Sequence, residues 1–124
     1  MWRICATVSA GLLACGLPLW PIPYHQVDLP GNPSFTLWFA GGVAAGLLGG
    51  FLLRRGLLAP ALCVAAGFVL AVMARVAVET SRDPTTHNLW PFEVVMAGGI
   101  GLASGWVGVA LARLTQWVAS SRRS

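Results

Sequence analysis

The chain has 124 residues, a net charge of +4 and only 10% charged residues, with a mean hydropathy of +0.73. Soluble domains carry about 25% charged residues, so this chain lacks the polar surface that a water-soluble fold needs. Its basic residues are all arginines, placed singly or in pairs at the ends of apolar runs, as in membrane topology signals. We therefore exclude nucleic-acid binding and predict an all-α polytopic membrane protein.

Four apolar runs are long enough to cross a membrane, since a helix of about 20 apolar residues spans a bilayer. We predict one membrane domain of four transmembrane helices, arranged as two hairpins with short loops. The predicted spans cover approximately residues 4–20, 35–53, 57–78 and 93–112. Loops at residues 21–34 and 79–92 share one side, and a turn at residues 54–56 and a tail at residues 113–124 share the other.

The first run, residues 4–20, has two interpretations. It is either a retained transmembrane helix or a signal sequence, because Leu12–Cys15 resembles a lipoprotein signal-peptidase box in which Cys15 receives the lipid. Only Arg3 supplies positive charge before the apolar run, which is little for a signal sequence. Both interpretations leave the later spans in the same orientation.

The charged residues predict that orientation. In a four-span arrangement six arginines fall on one side and all four acidic residues fall on the other. Because arginine and lysine accumulate in cytoplasmic loops, we predict a bacterial cytoplasmic (inner) membrane with both termini in the cytoplasm. The two longer loops then face outward.

Small residues recur every four positions in the second and fourth spans. This spacing places them on one helix face, where the missing side chains let two backbones approach closely. The face either joins these two spans within one molecule or serves as an oligomer contact. The glycines concerned are Gly42, Gly46, Gly50, Gly101, Gly105 and Gly108. Residues 33–43 also echo residues 91–100, which indicates a duplicated hairpin.

Polar residues concentrate between residues 75 and 93, a stretch that holds three of the four acidic residues. Arg75, Glu79 and Arg82 are spaced to share one helix face within pairing reach. We expect Arg75 to extend toward the membrane surface or to pair, since a charge inside the bilayer is costly. The stripe is either an ion-pair ladder that fixes the depth of the helix or a site for an anionic headgroup, a carboxylate ligand or a proton.

The Asp83-Pro84 pair should end the third helix, because a residue before proline disfavours the α conformation. Asp83 is also suited to capping a following turn. Trp90 is expected to anchor the chain at the level of the lipid headgroups. Glu93 should lie in the first turn of the fourth helix, where a negative charge suits the helix dipole.

The polar stretch supplies the candidate contacts for a ligand or partner. These candidates are Arg75, Glu79, Arg82, Asp83, His87, Asn88, Trp90 and Glu93. His25 and His87 are weak metal candidates, because no metal-ligand spacing connects them. We predict no catalytic residue and no cofactor, and we interpret the cysteines as small apolar residues within helices.

Three functional hypotheses follow. The first is a non-catalytic accessory or assembly subunit, or an interaction module, whose structured outward loop contacts another membrane protein in a homo- or hetero-oligomer within the lipid. The alternative is a small oligomeric transporter or channel that uses Arg75, Glu79 and His87. The third is a membrane enzyme or metal protein built on the two histidines with Asp83 and Glu93, which no nucleophile motif supports.

Overall fold

The computed structural model describes residues 1–22, 33–54, 56–85 and 89–123, with the side chains of residues 33 and 34 left aside. These residues form an all-helical fold. Each helix is long and apolar enough to cross a membrane, so the prediction of a four-helix, multi-pass membrane protein is confirmed. The helices are α1 (Trp2–Leu19), α2 (Pro33–Leu52), α3 (Leu58–Arg82) and α4 (Trp90–Ser121).

The positions of proline and glycine account for where α3 and α4 end. Pro18 lies within the last turn of α1 rather than after it. The third helix ends at Arg82, where Asp83 before Pro84 adopts an extended conformation with φ −142° and ψ 102°. The fourth helix continues through residues 113–121, beyond the predicted span, because this segment contains no glycine or proline.

The four helices stand at the corners of a square, in the order α1, α2, α4, α3 around its edge. Neighbours in the chain are antiparallel, whereas α1 lies beside α3 and α2 beside α4 in parallel pairs. The diagonal pair α2 and α3 makes fewer contacts. The core consists of small and β-branched residues around Phe68, with Val64 and Val109 fully buried.

Missing side chains bring α1 and α3 together along their length. A Cβ atom added to Gly11 would lie 2.6 Å from the Val64 carbonyl oxygen, and one added to Gly67 would lie 2.5 Å from the Leu12 nitrogen. These distances leave no room for a side chain, so the two backbones are nearly in contact. Cys15, the residue of the alternative lipidation site, is buried in the core that these helices share.

Charge divides the bundle into two ends. One end, here called the arginine end, contains both chain termini and the turn between α2 and α3. It carries Arg3, Arg54, Arg113, Arg122 and Arg123. The opposite end, here called the acidic end, carries Glu79, Asp83 and Glu93 at the end of α3 and the start of α4. This division places all described acidic residues away from the termini.

Candidate functional site

Arg75 is a buried charged side chain near the acidic end of the bundle. Its Nε atom donates a hydrogen bond to Oε1 of Glu79 over 2.9 Å, within an ion pair one helical turn apart. Its two terminal nitrogens donate to the carbonyl oxygens of Leu19 at 2.8 Å and Ile22 at 2.5 Å. The guanidinium therefore joins α3 to the end of α1 through two bonds and holds Glu79 of its own helix through a third.

The end of α1 needs such a donor. A helix leaves its last four carbonyl groups without partners inside the helix, and α1 has no basic residue of its own in its last turn. The planar guanidinium suits this position because it presents several donors in a fixed geometry. Nearby, Nε1 of Trp20 donates to the carbonyl of Ala71 at 3.2 Å, so α1 and α3 are bonded in both directions.

The predicted stripe of Arg75, Glu79 and Arg82 divides in the structure. Arg75 pairs with Glu79, as expected, and its side chain is buried, only 5% exposed. Burial is tolerated because the α1 carbonyls and the carboxylate replace water around the charge. Arg82 is exposed at the last residue of α3.

At the arginine end, carbonyl groups at the end of α2 likewise accept hydrogen bonds from arginines of other helices. Arg113 of α4 donates to the carbonyl oxygens of Leu53 at 2.8 Å and Gly56 at 3.0 Å, just beyond α2. Arg3 of α1 adds a bond of 3.3 Å to the carbonyl of Leu52. The first two helices are thus each capped by an arginine from the helix two further along the chain. In the sequence analysis, Arg3 and Arg113 are interpreted only as topology signals.

A compact turn follows α3 at the acidic end. Oδ1 of Asp83 accepts hydrogen bonds from the hydroxyl of Thr85 at 2.6 Å and from its backbone N–H at 3.0 Å. These bonds, the hydroxyl first, hold the pKa of the Asp83 carboxyl below its ordinary value. The turn is therefore stabilised above the ordinary carboxyl pKa and weakens as pH falls through the lowered value.

The remaining candidates lie near the start of α4 or outside the described residues. Trp90 begins α4 and is exposed, and Glu93 is half-buried in the first turn, where the helix dipole favours a carboxylate. His25, His87 and Asn88 fall outside the part of the chain that the structure describes. Within that part, no group of three His, Cys, Asp or Glu side chains could hold a metal ion.

Three of the predicted glycines face the interior of the bundle between α2 and α4. A Cβ added to Gly46 would lie 2.9 Å from the Gly105 Cα atom, and one added to Gly108 would lie 2.7 Å from the Leu47 nitrogen. Gly50 packs in the same way against Ala112. These residues bring α2 and α4 into backbone contact within one molecule.

The other glycines predicted to form the close contact pack against different helices. Gly42 packs against Ser104, whereas Gly101 faces α3, where an added Cβ would lie 2.8 Å from the Phe68 ring. Gly105 also approaches α3 at Val64. The spacing of the glycines predicts a close helix contact, but it does not reveal that α4 has close contacts on two sides.

Trp38 of α2 is a buried tryptophan, only 6% exposed. Its side chain lies in the core cluster, and Nε1 has no hydrogen-bond partner among the described residues. A buried donor in this state costs free energy. No pattern in the sequence distinguishes it from the exposed Trp20 and Trp90.

Comparison of the chain with protein-family models, with curated proteins and with solved structures gives no match. The function is therefore inferred from the placement of the candidate residues.

Proposed function

We propose that the protein is a non-catalytic accessory or assembly subunit of a bacterial inner-membrane complex, with both termini in the cytoplasm. The hydrogen bonds of Arg75 are the main observation in support of this proposal. Each nitrogen of the buried guanidinium donates a hydrogen bond within the protein, to Glu79, to the Leu19 carbonyl of α1 and to the Ile22 carbonyl just beyond it, which favours a role in holding the bundle together over binding a ligand. The orientation rests on the collection of arginines at one end of the bundle.

The contact surface of the proposed subunit is the acidic end at the start of α4. Leu89, Trp90, Phe92 and Val95 are exposed there, and the charged side chains of Arg82 and Asp83 are exposed at the end of α3. Aromatic residues beside charged ones are typical of protein contacts. Because this surface crosses from apolar to charged at the membrane boundary, its occupant is another membrane protein with an apolar helix and a polar loop.

A photo-activatable phenylalanine analogue at position 92 is expected to cross-link one partner protein in native membranes. The same analogue at Trp106, which is exposed in the middle of α4, is the matched control and should give no discrete protein product. Trp90→Ala should reduce the amount of co-purified partner by about tenfold or more, because buried tryptophans often contribute at least about 2 kcal/mol to binding. Native mass spectrometry of the gently solubilised complex measures the stoichiometry.

Recovery of the protein only alone or as a pure homo-oligomer would refute the proposed subunit role. Equal cross-linking from positions 92 and 106 would refute the assignment of the surface. A partner that remains bound at full stoichiometry in Trp90→Ala would have the same consequence.

The subunit role and the transporter alternative predict different results for Glu79→Gln. The subunit role predicts the following. Glu79→Gln should leave proton and cation flux in reconstituted liposomes unchanged from wild type, because the carboxylate is bonded to Arg75 and serves the bundle. A pH-sensitive dye inside the liposomes measures proton flux, and liposomes without protein give the background. Wild-type flux above background that disappears in a folded Glu79→Gln protein would support transport instead.

A further inference from the structure

The fourth helix continues past the end of the bundle. Arg113 marks that end, because it donates to the carbonyls of Leu53 and Gly56 in the turn between α2 and α3. Gln116 makes one more contact, a bond of 3.4 Å to the Gly50 carbonyl. Residues 117–123 are all exposed, and the helix persists to Ser121. Its 32 residues correspond to about 48 Å, whereas the hydrocarbon core is about 30 Å thick.

This extension lies at the depth of the lipid headgroups. The apolar part of α4 ends at Ala112, and the ten residues from 114 to 123 rise about 15 Å if helical. The headgroup layer on each side of a bilayer is about 5–8 Å thick. Leu114 therefore falls in that layer and Trp117 near its outer boundary. Arg122 and Arg123 lie beyond the boundary, and their long side chains can bend back toward the phosphates.

The extension is amphipathic in a way that suits this depth. Leu114, Trp117 and Val118 are exposed and spaced three and four residues apart, so they share one face. Leu114 and Val118 line a shallow open hollow together with the two arginines that follow α4. Its lining residues are Leu114, Thr115, Val118, Ala119, Arg122 and Arg123. A hollow with an apolar floor and two guanidinium groups at its rim matches a lipid with an acyl chain and a phosphate.

The charges around the hollow favour an anion. The arginine end carries no acidic residue within the described chain, since Glu79, Asp83 and Glu93 lie at the opposite end. Arg113 donates to backbone carbonyls, whereas Arg122 and Arg123 are exposed. A second copy of α4 would place these two arginines against their equivalents with no acidic residue to compensate. Charge complementarity thus favours a lipid over self-association.

We propose that the end of α4 and the two arginines that follow it form a binding site for anionic phospholipids, in which Arg122 and Arg123 bind the phosphate of the headgroup. Leu114, Trp117 and Val118 contact the upper part of the acyl chains. Guanidinium groups suit this role because they make bidentate hydrogen bonds to phosphate oxygens. The ligand belongs to the membrane that holds the protein, and the proposal stands whether or not a protein partner occupies the acidic end.

The test counts lipids on the intact protein. Wild-type protein is released from nanodiscs that contain equal amounts of phosphatidylglycerol and phosphatidylcholine, and native mass spectrometry measures which lipid stays bound. We expect wild type to retain phosphatidylglycerol preferentially. The double variant R122Q/R123Q should lose this preference by about fivefold for each arginine. Trp117→Ala should reduce total lipid retention and leave the preference for anionic lipid in place.

Arg82→Gln is the matched control, because Arg82 is an exposed arginine at the acidic end, away from the proposed lipid site, and it should retain the wild-type preference for phosphatidylglycerol. An unchanged lipid preference in R122Q/R123Q would overturn the proposal, as would an equal loss in Arg82→Gln. A doubled mass that disappears in Leu114→Asn would show that a second copy occupies the hollow, which also overturns it. Circular dichroism of each variant checks that the helices remain folded.

Discussion

Replacement of Arg75 by methionine is expected to lower the free energy of unfolding by about 3–5 kcal/mol, the usual cost of removing one partner from a buried ion pair. Methionine fills similar apolar space but has no donor. The change therefore removes the bond to Glu79 and the bonds to the carbonyls of Leu19 and Ile22 in one step. Because those carbonyls belong to the end of α1, this helix should separate from α3 first.

Unfolding of the purified protein in mild detergent, titrated with sodium dodecyl sulfate and followed by circular dichroism, measures this effect. Arg82→Met is the matched control, since it removes an exposed arginine seven residues away on the same helix, and should change stability by less than about 0.5 kcal/mol. Arg75→Lys should give an intermediate loss, because one ammonium group cannot reproduce the fork geometry. Equal stability of Arg75→Met and Arg82→Met would contradict the assigned role of Arg75.

Glu79→Gln separates the two parts of the Arg75 contact. The amide keeps an oxygen for Nε of Arg75 and leaves both bonds to the α1 carbonyls in place. Its loss of stability should therefore be smaller than that of Arg75→Met. This ordering distinguishes a guanidinium whose main role is to cap α1 from one whose main role is to neutralise Glu79.

Much of the fold could be predicted from local signals. The apolar runs fixed the number of helices because only hydrogen-bonded helices or closed barrels can span lipid. The end of α3 at Arg82 followed from one dipeptide, Asp83-Pro84. The place of Glu93 in the first turn of α4 followed from the helix dipole. Each of these predictions depends on residues close together in the chain.

The bonds of the arginines could not be predicted in this way, because their acceptors are backbone carbonyls far away in sequence. Arg75 lies 56 residues from Leu19, and Arg113 lies 60 residues from Leu53. Every residue has a backbone carbonyl, so no sequence pattern shows which one will accept the bond. One signal was nevertheless present: neither α1 nor α2 has a basic residue in its last turn. Their unpaired carbonyls had to find donors elsewhere.

The contact between α1 and α3 was missed for a different reason. Gly11 and Gly67 are single glycines without a partner four residues away, so no repeated spacing drew attention to them. In the structure they meet the backbone of the opposite helix as closely as the repeated glycines of α2 and α4 do. A parallel helix pair needs only one small residue on each side at the crossing point, and a spacing rule does not detect that case.

The described arginines fall into two groups. Arg3, Arg75 and Arg113 donate to backbone carbonyls where α1 and α2 end. Arg82, at the acidic end, and Arg54, Arg122 and Arg123, at the arginine end, are exposed. Because the first three guanidinium groups are bonded within the bundle, we expect contacts with lipid or protein to come from the second group. Both proposals above rest on this division.

Replacing a glycine of α4 by alanine is expected to lower the free energy of unfolding on the face packed against α2, and to leave it unchanged or raise it on the exposed face. Gly108→Ala should destabilise the protein by about 1–3 kcal/mol, because the new methyl group would overlap the α2 backbone at Val43 and Leu47. Gly99→Ala should be neutral or stabilising by up to about 1 kcal/mol, since alanine favours the helix. Position 99 is exposed, and an added Cβ there meets no atom within 4 Å.

The two variants share a helix and a chemical change, so the helix preference of alanine acts equally on both and only the packing differs. The same detergent unfolding titration measures both free energies. A shift in the same direction for Gly99→Ala and Gly108→Ala would show that α2 and α4 do not meet at these glycines. A loss confined to Gly99→Ala would instead place the close helix contact on the outer face of α4, where a second copy of the chain would supply the opposing backbone.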